Sequence, residues 1–331
     1  MALGRLSASL RVIFPSFIAL TLGVAGCRAP AEATQEPPPK QEAQTVQLPG
    51  VDTSALTGAE LQKWSSYVSE LLAPCTDQPV SVAQCVKESR DCAACLPAAN
   101  FLVQRVRRGN TRAQVEGAFR TRFAPEAVKA IDLDDSPRVG AESPKVTVVE
   151  WADLECPFCA FAAPLLKKQV ERYPDQLQLV FKHYPLSAHQ NAETAARGAV
   201  AAQSQGKFWP FQEKVFAQQK EGLDRARLSK IAAEVGLDVK RFEADLESET
   251  VADRVARDRK QADALNLKGT PMIYINGRHF DFEHFDLRED LEDWIALEVQ
   301  LASGKGKESG GAAAPATGAV TQPAASTAAA E

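Results

Sequence analysis

Val146-Thr147-Val148-Val149-Glu150-Trp151 runs through Ala152-Asp153-Leu154-Glu155 into Cys156-Pro157-Phe158-Cys159. The first stretch is continuous and rich in β-branched residues, as a strand buried on both faces requires. A helical pattern follows from about Pro157 to Tyr173, so the Cys-x-x-Cys motif straddles a strand-to-helix junction. At such a junction the free N–H groups and partial positive charge of the helix start favour a thiolate. Two intervening residues set the second sulfur within disulfide reach across the first turn. Pro157 suits that turn because it has no N–H to leave unpaired. The pattern predicts Cys156 as an exposed nucleophile and Cys159 as a buried resolving thiol. A structural disulfide is the alternative, but so short a loop gains little closure entropy. A zinc site would need four ligands, and no second pair lies nearby in sequence.

Working outward, residues 136–302 alternate in type. Leu177-Gln178-Leu179-Val180-Phe181 reads as the next strand. A long helical stretch runs from Ala188 to about Asn266, with breaks near Gly206, Gly222 and Gly236. Thr270 to Ile275 is a strand, Asn276-Gly277 a hairpin-type turn, and Phe280 opens the partner strand. A last helix spans Leu287 to about Leu301. The order is β-α-β, several helices, then β-β-α.

Residues 151–159 together with Gly269-Thr270-Pro271-Met272-Ile273-Tyr274-Ile275-Asn276-Gly277-Arg278 resemble a DsbA-like thiol:disulfide oxidoreductase of the thioredoxin superfamily. The resemblance covers about residues 138–302. It implies an α/β thioredoxin fold with a helical domain inserted at about 188–266, and chemistry needing neither metal nor organic cofactor. It places a cis peptide bond at Thr270-Pro271, whose loop packs on the active-site sulfurs and, with Pro157 and Phe158, meets an extended substrate segment. It implies that Glu150 is a buried acid relaying protons to and from Cys159. Lys182 is read as a solvated lysine, with pairing to Glu150 as the alternative, and Glu155 as exposed. His189, in Pro185-Leu186-Ser187-Ala188-His189, reads as structural, and Phe208, Trp209 and Phe211 as core. The threonine at 270 and the phenylalanine at 158 depart from the best-known oxidase of the family, which implies a less oxidising couple.

Upstream, Arg5 and Arg11 precede an apolar run from Val12 to Val24 that ends Val24-Ala25-Gly26-Cys27. This is the plan of a secretory signal, and the run is short of the roughly 20 residues of a spanning helix. Its ending is similar to a bacterial lipobox, which implies cleavage after residue 26 and a lipid on Cys27. Removal of 1–26 takes away two positive charges and changes the net charge from −5 to −7. So acidic a chain is no dedicated nucleic-acid binder. Residues 27–50 read as a linker rich in Pro, Glu, Gln and Ala, and 303–331 as an Ala/Gly/Pro tail lacking core residues.

Residues 51–135 read as a small all-α module. Thr57-Gly58-Ala59-Glu60 and Thr111-Arg112-Ala113-Gln114 are capping-box patterns, and Pro74 and Gly109 are stop signals. The chain has 7 cysteines. With Cys27 set aside, Cys75, Cys85, Cys92 and Cys95 remain in this module and two in the Cys-x-x-Cys motif. Outside the cytoplasm disulfides persist, so the four read as two staples in one of three connectivities. A second redox centre is the sharper alternative, because Cys92-Ala93-Ala94-Cys95 also opens a helix; a zinc site is the third. The stretch from Cys92 to Phe123 is faintly similar to the helical Cys-x-x-Cys domain of cytochrome c maturation proteins.

These readings predict an envelope enzyme, lipid-anchored to a membrane, that makes, breaks or isomerises disulfides in cysteine-containing exported proteins. A membrane redox partner would set its oxidation state. The rival readings are a chaperone or binding module using the same groove without turnover, and a dedicated reductant for cytochrome assembly.

Overall fold

The computed structural model describes residues 45–77 and 79–303. The signal segment, Cys27, the linker as far as residue 44 and the tail from residue 304 lie outside the described residues. The described residues belong to one compact unit, and among them no helix is long and apolar enough to cross a membrane.

Four helices come first: α1 (Gly58–Glu70), α2 (Val82–Lys87), α3 (Cys95–Arg107) and α4 (Arg112–Phe123). Both capping boxes form: the Thr57 and Thr111 hydroxyls accept from the N3 backbone, and Glu60 and Gln114 accept from the capping residues' N–H groups. Trp64, Val68, Val82, Leu102 and Val115 close a common core. Leu48 is buried in it, and Val46 N–H donates to Ser65 Oγ at 2.9 Å. Residues before 51 therefore pack with the helices, because Val46 and Leu48 find a hydrophobic surface.

The five-stranded sheet has the order β1-β3-β2-β4-β5. Strands β2 (Val146–Ala152) and β3 (Leu177–His183) are parallel, joined by α5 (Pro157–Arg172). Strand β4 (Met272–Ile275) runs antiparallel to β2, and β5 (Arg278–His279) antiparallel to β4. Asn276 and Gly277 between them both have positive φ, 48° and 77°, as a two-residue hairpin turn demands. The partner strand thus starts at Arg278, two residues before the expected Phe280. Strand β1 (Arg138–Gly140) has no counterpart in the sequence reading; it is three exposed residues that pair antiparallel with β3.

Helices α6 (Ala192–Ser204), α7 (Phe208–Gln218), α8 (Arg225–Glu234), α9 (Val239–Leu246) and α10 (Glu249–Ala264) fill the insertion, and α11 (Leu291–Ala302) closes the fold. Alternation along β2 assigns its faces. Val146 and Val148 pack with α5 and α11, whereas Val149 and Trp151 pack on the other face with Ala262 of α10.

Two buried arginines join the first helices to the end of the fold. Arg105 donates to the His284 carbonyl at 2.8 Å and to Asp290 at 3.3 Å, between the rings of Phe101 and Phe285. Arg122 donates to Glu298 at 2.6 Å and lies over Trp294. Removing one partner of such a pair strands the other charge away from water, at a cost of about 3–5 kcal/mol. We expect Arg122→Ala to lose stability of that order in urea unfolding, and a combined Arg122→Met, Glu298→Leu change to recover most of it.

Candidate active site

Cys156 is the N-cap of α5 and Pro157 its first residue, with no acidic side chain in the first turn. The N–H groups of Phe158 and Cys159 face the Cys156 sulfur. Both cysteines are reduced and buried. The burial of Cys156, only 3% exposed, departs from the expected open nucleophile. The reason lies in the opposite loop: the Thr270–Pro271 bond is cis, and Cys156 Sγ donates to the Thr270 carbonyl oxygen at 3.3 Å. The Thr270 hydroxyl is buried without a hydrogen-bond partner of its own. Phe158 is 69% exposed and Phe161 38%; three residues apart on α5, they form an apolar rim beside the sulfur.

Period-two alternation puts Glu150 on the same face of β2 as Val146 and Val148, beneath α5. It is 1% exposed, and its Oε1 has no hydrogen-bond partner. Burial, reinforced by negative charge on Cys156, raises its pKa to about 8. Cys159 is pushed well up, first by burial and then by the Cys156 sulfur and the Glu150 charge. Cys156 moves the other way, to about 5. The Cys159 thiol lowers it most; the nearby Thr270 side chain and the N–H groups of Cys159 and Phe158 add to this, and together they outweigh burial. One dry space thus holds a ready thiolate, a reluctant thiol and a neutral carboxylic acid.

Lys182 overturns the sequence reading. It is fully buried, and its ammonium meets Asp258 at 3.1 Å and Asp134 at 3.2 Å. It faces Trp151 across the strands, so it stands on the opposite sheet face from Glu150 and cannot pair with it. Glu155 is half-buried rather than exposed, because it accepts from the Asn191 N–H at 2.6 Å and the Asn191 side chain at 3.0 Å. His189 holds Asp153 at 2.7 Å through Nδ1, a structural contact as expected. Phe208 and Phe211 are buried in the insertion's core, with Trp209 packed against it.

Two residues of the site escaped the sequence reading. Asp153 is buried and accepts from the Glu155 N–H at 2.7 Å and the Leu186 N–H at 2.8 Å. Gln219 donates to the carbonyls of Leu154 at 2.7 Å and Cys156 at 3.0 Å. Asp153 lies three residues before the motif, so its position was in view but its burial was not. Gln219 lies far along the chain and carries no local signal. Cys75 pairs with Cys92 and Cys85 with Cys95. The structure thus selects the interleaved connectivity of the three.

Residues 132–295 match the thioredoxin family. The matched stretch contains the Cys156–Cys159 motif, the cis Thr270–Pro271 bond and all five strands of the described sheet. The Na(+)/H(+) antiporter NhaA of Herminiimonas arsenicoxydans is 41% identical over 139 residues, 42% of this chain and 22% of that protein. Na(+)/H(+) antiporter NhaA 3 of Salinispora tropica is 38% identical over 149 residues, 45% of this chain and 22% of that protein. The chain therefore spans less than a quarter of the length of these curated relatives. Among solved structures, a thioredoxin-like oxidoreductase from Silicibacter pomeroyi DSS-3 is similar at 28% identity and a TM-score of 0.44. The likeness covers 50% of this chain and 94% of that one.

The shifted groups have opposite effects on stability. Glu150, raised from the usual carboxylate range to about 8, keeps a proton that the unfolded chain releases; its contribution is full below about 4.5 and is lost as pH rises to 8. Cys156, lowered to about 5, gives stability that is full above the ordinary thiol value and is lost as pH falls through 5. In the reduced protein the two slopes oppose each other between pH 5 and 8. We expect Glu150→Gln to unmask the thiolate term. Urea midpoints of the reduced variant should climb with pH across that window, on the order of 1 kcal/mol per unit, while those of the parent stay flatter.

Proposed function

We propose that this protein is an extracytoplasmic thiol:disulfide oxidoreductase acting on cysteine-containing exported proteins through the Cys156–Cys159 couple. One observation carries the reading: the Cys156 sulfur lies between the start of α5 and the Thr270 carbonyl of the cis-proline loop, with a buried neutral acid behind its partner thiol.

In the oxidised enzyme a client thiolate attacks Cys156 Sγ. The Cys156–Cys159 bond breaks, a client–Cys156 bond forms, and Cys159 leaves as a thiolate that takes the Glu150 proton. A second client thiolate then attacks the client sulfur of the mixed disulfide. Cys156 leaves as the stable thiolate, the client gains a disulfide, and the couple is left holding two electrons. Reversal needs Glu150 as a carboxylate to deprotonate Cys159 for its attack on the mixed disulfide. Stabilising the Cys156 thiolate favours the reduced couple, and so makes the oxidised couple the better oxidant. Thr270 and Pro271 offer backbone to an extended client segment, and Phe158 and Phe161 offer it an apolar surface. The signal segment and Cys27 support secretion and a lipid anchor in a cell-envelope membrane, and a membrane redox partner would reoxidise the couple.

The test uses Cys159→Ala in the native envelope. Mixed disulfides should accumulate on Cys156 and disappear on reduction. Cys156→Ala should bring oxidation of a reduced dithiol peptide down to the uncatalysed rate. Retention of biological function by Cys156→Ala would instead identify a groove-binding module without turnover. Adducts confined to cytochrome-assembly thiols would favour a dedicated reductant.

A further inference from the structure

The helical region carries a second arrangement of sulfurs. Its two disulfides touch: the sulfurs of Cys85, Cys92 and Cys95 all lie within 4.8 Å of one another, although Cys92 is bonded to Cys75 and Cys85 to Cys95. The two bonds differ in access. Cys85, Cys92 and Cys95 are buried, whereas Cys75 is only partly so, on a loop whose next residues Thr76 and Asp77 are exposed. An outer disulfide therefore stands directly in front of an inner one.

Two further features suit exchange. The inner bond ends at Cys95, the first residue of α3. That helix has 13 residues, no side-chain cap and no acid in its first turn, so the partial positive charge of its start is not offset next to Cys95. Arg90 and Asp91 precede Cys92 with opposite charges. A thiolate expelled at Cys92 thus emerges near a helix start, and a better-stabilised thiolate is the better leaving group. Among the described residues, the two most exposed large apolar side chains are Phe158 at 69% and Leu72 at 65%. The first lies two residues from Cys156, the second three residues from Cys75. Cys156 and Cys75 thus each have a highly exposed apolar side chain within three residues.

We propose that the four cysteines form a thiol–disulfide relay, a second redox site that accepts two electrons from a dithiol of another protein. A substrate thiolate attacks Cys75 Sγ; the Cys75–Cys92 bond breaks, and Cys92 leaves as a thiolate. Cys92 attacks Cys95 Sγ, forming Cys92–Cys95 and releasing Cys85, which takes up a proton. The second substrate thiolate attacks the substrate sulfur held on Cys75, closing the substrate disulfide and freeing Cys75. The substrate loses two electrons. The module goes from two disulfides to one disulfide and two thiols.

The experiment uses the full chain with Cys156→Ser and Cys159→Ser, so that this cluster is the remaining dithiol chemistry of the folded region. Brief exposure to equimolar dithiothreitol is quenched with N-ethylmaleimide, and the linked peptides are mapped by mass. The relay predicts Cys75 and Cys85 alkylated together, with Cys92 in a new bond to Cys95. Alkylation of Cys75 and Cys92 with Cys85–Cys95 intact overturns it, as does resistance of both bonds until the protein unfolds. Adding Cys92→Ser isolates the inner bond. Its reduction should slow at least tenfold while circular dichroism shows the fold retained; an unchanged rate overturns the relay. If that variant does not fold, the mapping on the parent decides alone.

Discussion

A carboxyl group shut away from water is the constraint around which the active site is arranged. Glu150 faces α5 because of its parity on β2, and nothing donates to its Oε1. Ionising it there costs free energy that no partner returns. The proton therefore stays on Glu150 at neutral pH, while the nearby Cys156 sulfur, set against the Cys159 thiol and the start of α5, gives its proton up. The two shifts are coupled, because charge on one disfavours charge on the other. Cys159, deeper and pushed up first by burial, is left neutral. Three groups of similar size thus acquire three different acidities from position alone.

The remaining buried polar contacts hold that position. Asp153, one turn of chain before Cys156, ties the junction to the loop after β3, and Gln219 holds it from the insertion. On the opposite sheet face Asp258 receives the Lys182 ammonium and the His183 N–H. In each case the partner comes from a segment distant in sequence: the acids accept from remote donors, and Gln219 donates to remote carbonyls.

What the sequence made legible follows from range. The strand, the Cys-x-x-Cys junction, the capped helices and the Asn276-Gly277 turn are local patterns, and all appear where local chemistry puts them. The cis bond at Thr270 and the burial of Glu150 came through family resemblance and proved right in geometry. Strand β1 was invisible because three exposed residues have no periodicity to read. Lys182 was misread because its acids lie 48 and 76 positions away, and only the register with Trp151 reveals which face it occupies. Gln219 has no local signature, and the pairing of four cysteines is a tertiary fact. The openness of Cys156 was overestimated because the loop that covers it comes from residue 270.

The insertion is anchored at both of its junctions with the sheet. At its entry, Asp153 and Glu155 bind the loop that leads into α6; at its exit, α10 is fixed to β3 through Asp258. A hinge needs one end that yields cheaply, and here each end would have to expose a buried carboxylate. The helical part therefore behaves as a fixed jaw rather than a lid. Under the proposed function, exchange would have no enclosure step to wait for, so residence time on the groove would reflect the client's own chain: how readily a cysteine-bearing segment straightens, and how soon its refolding pulls it away.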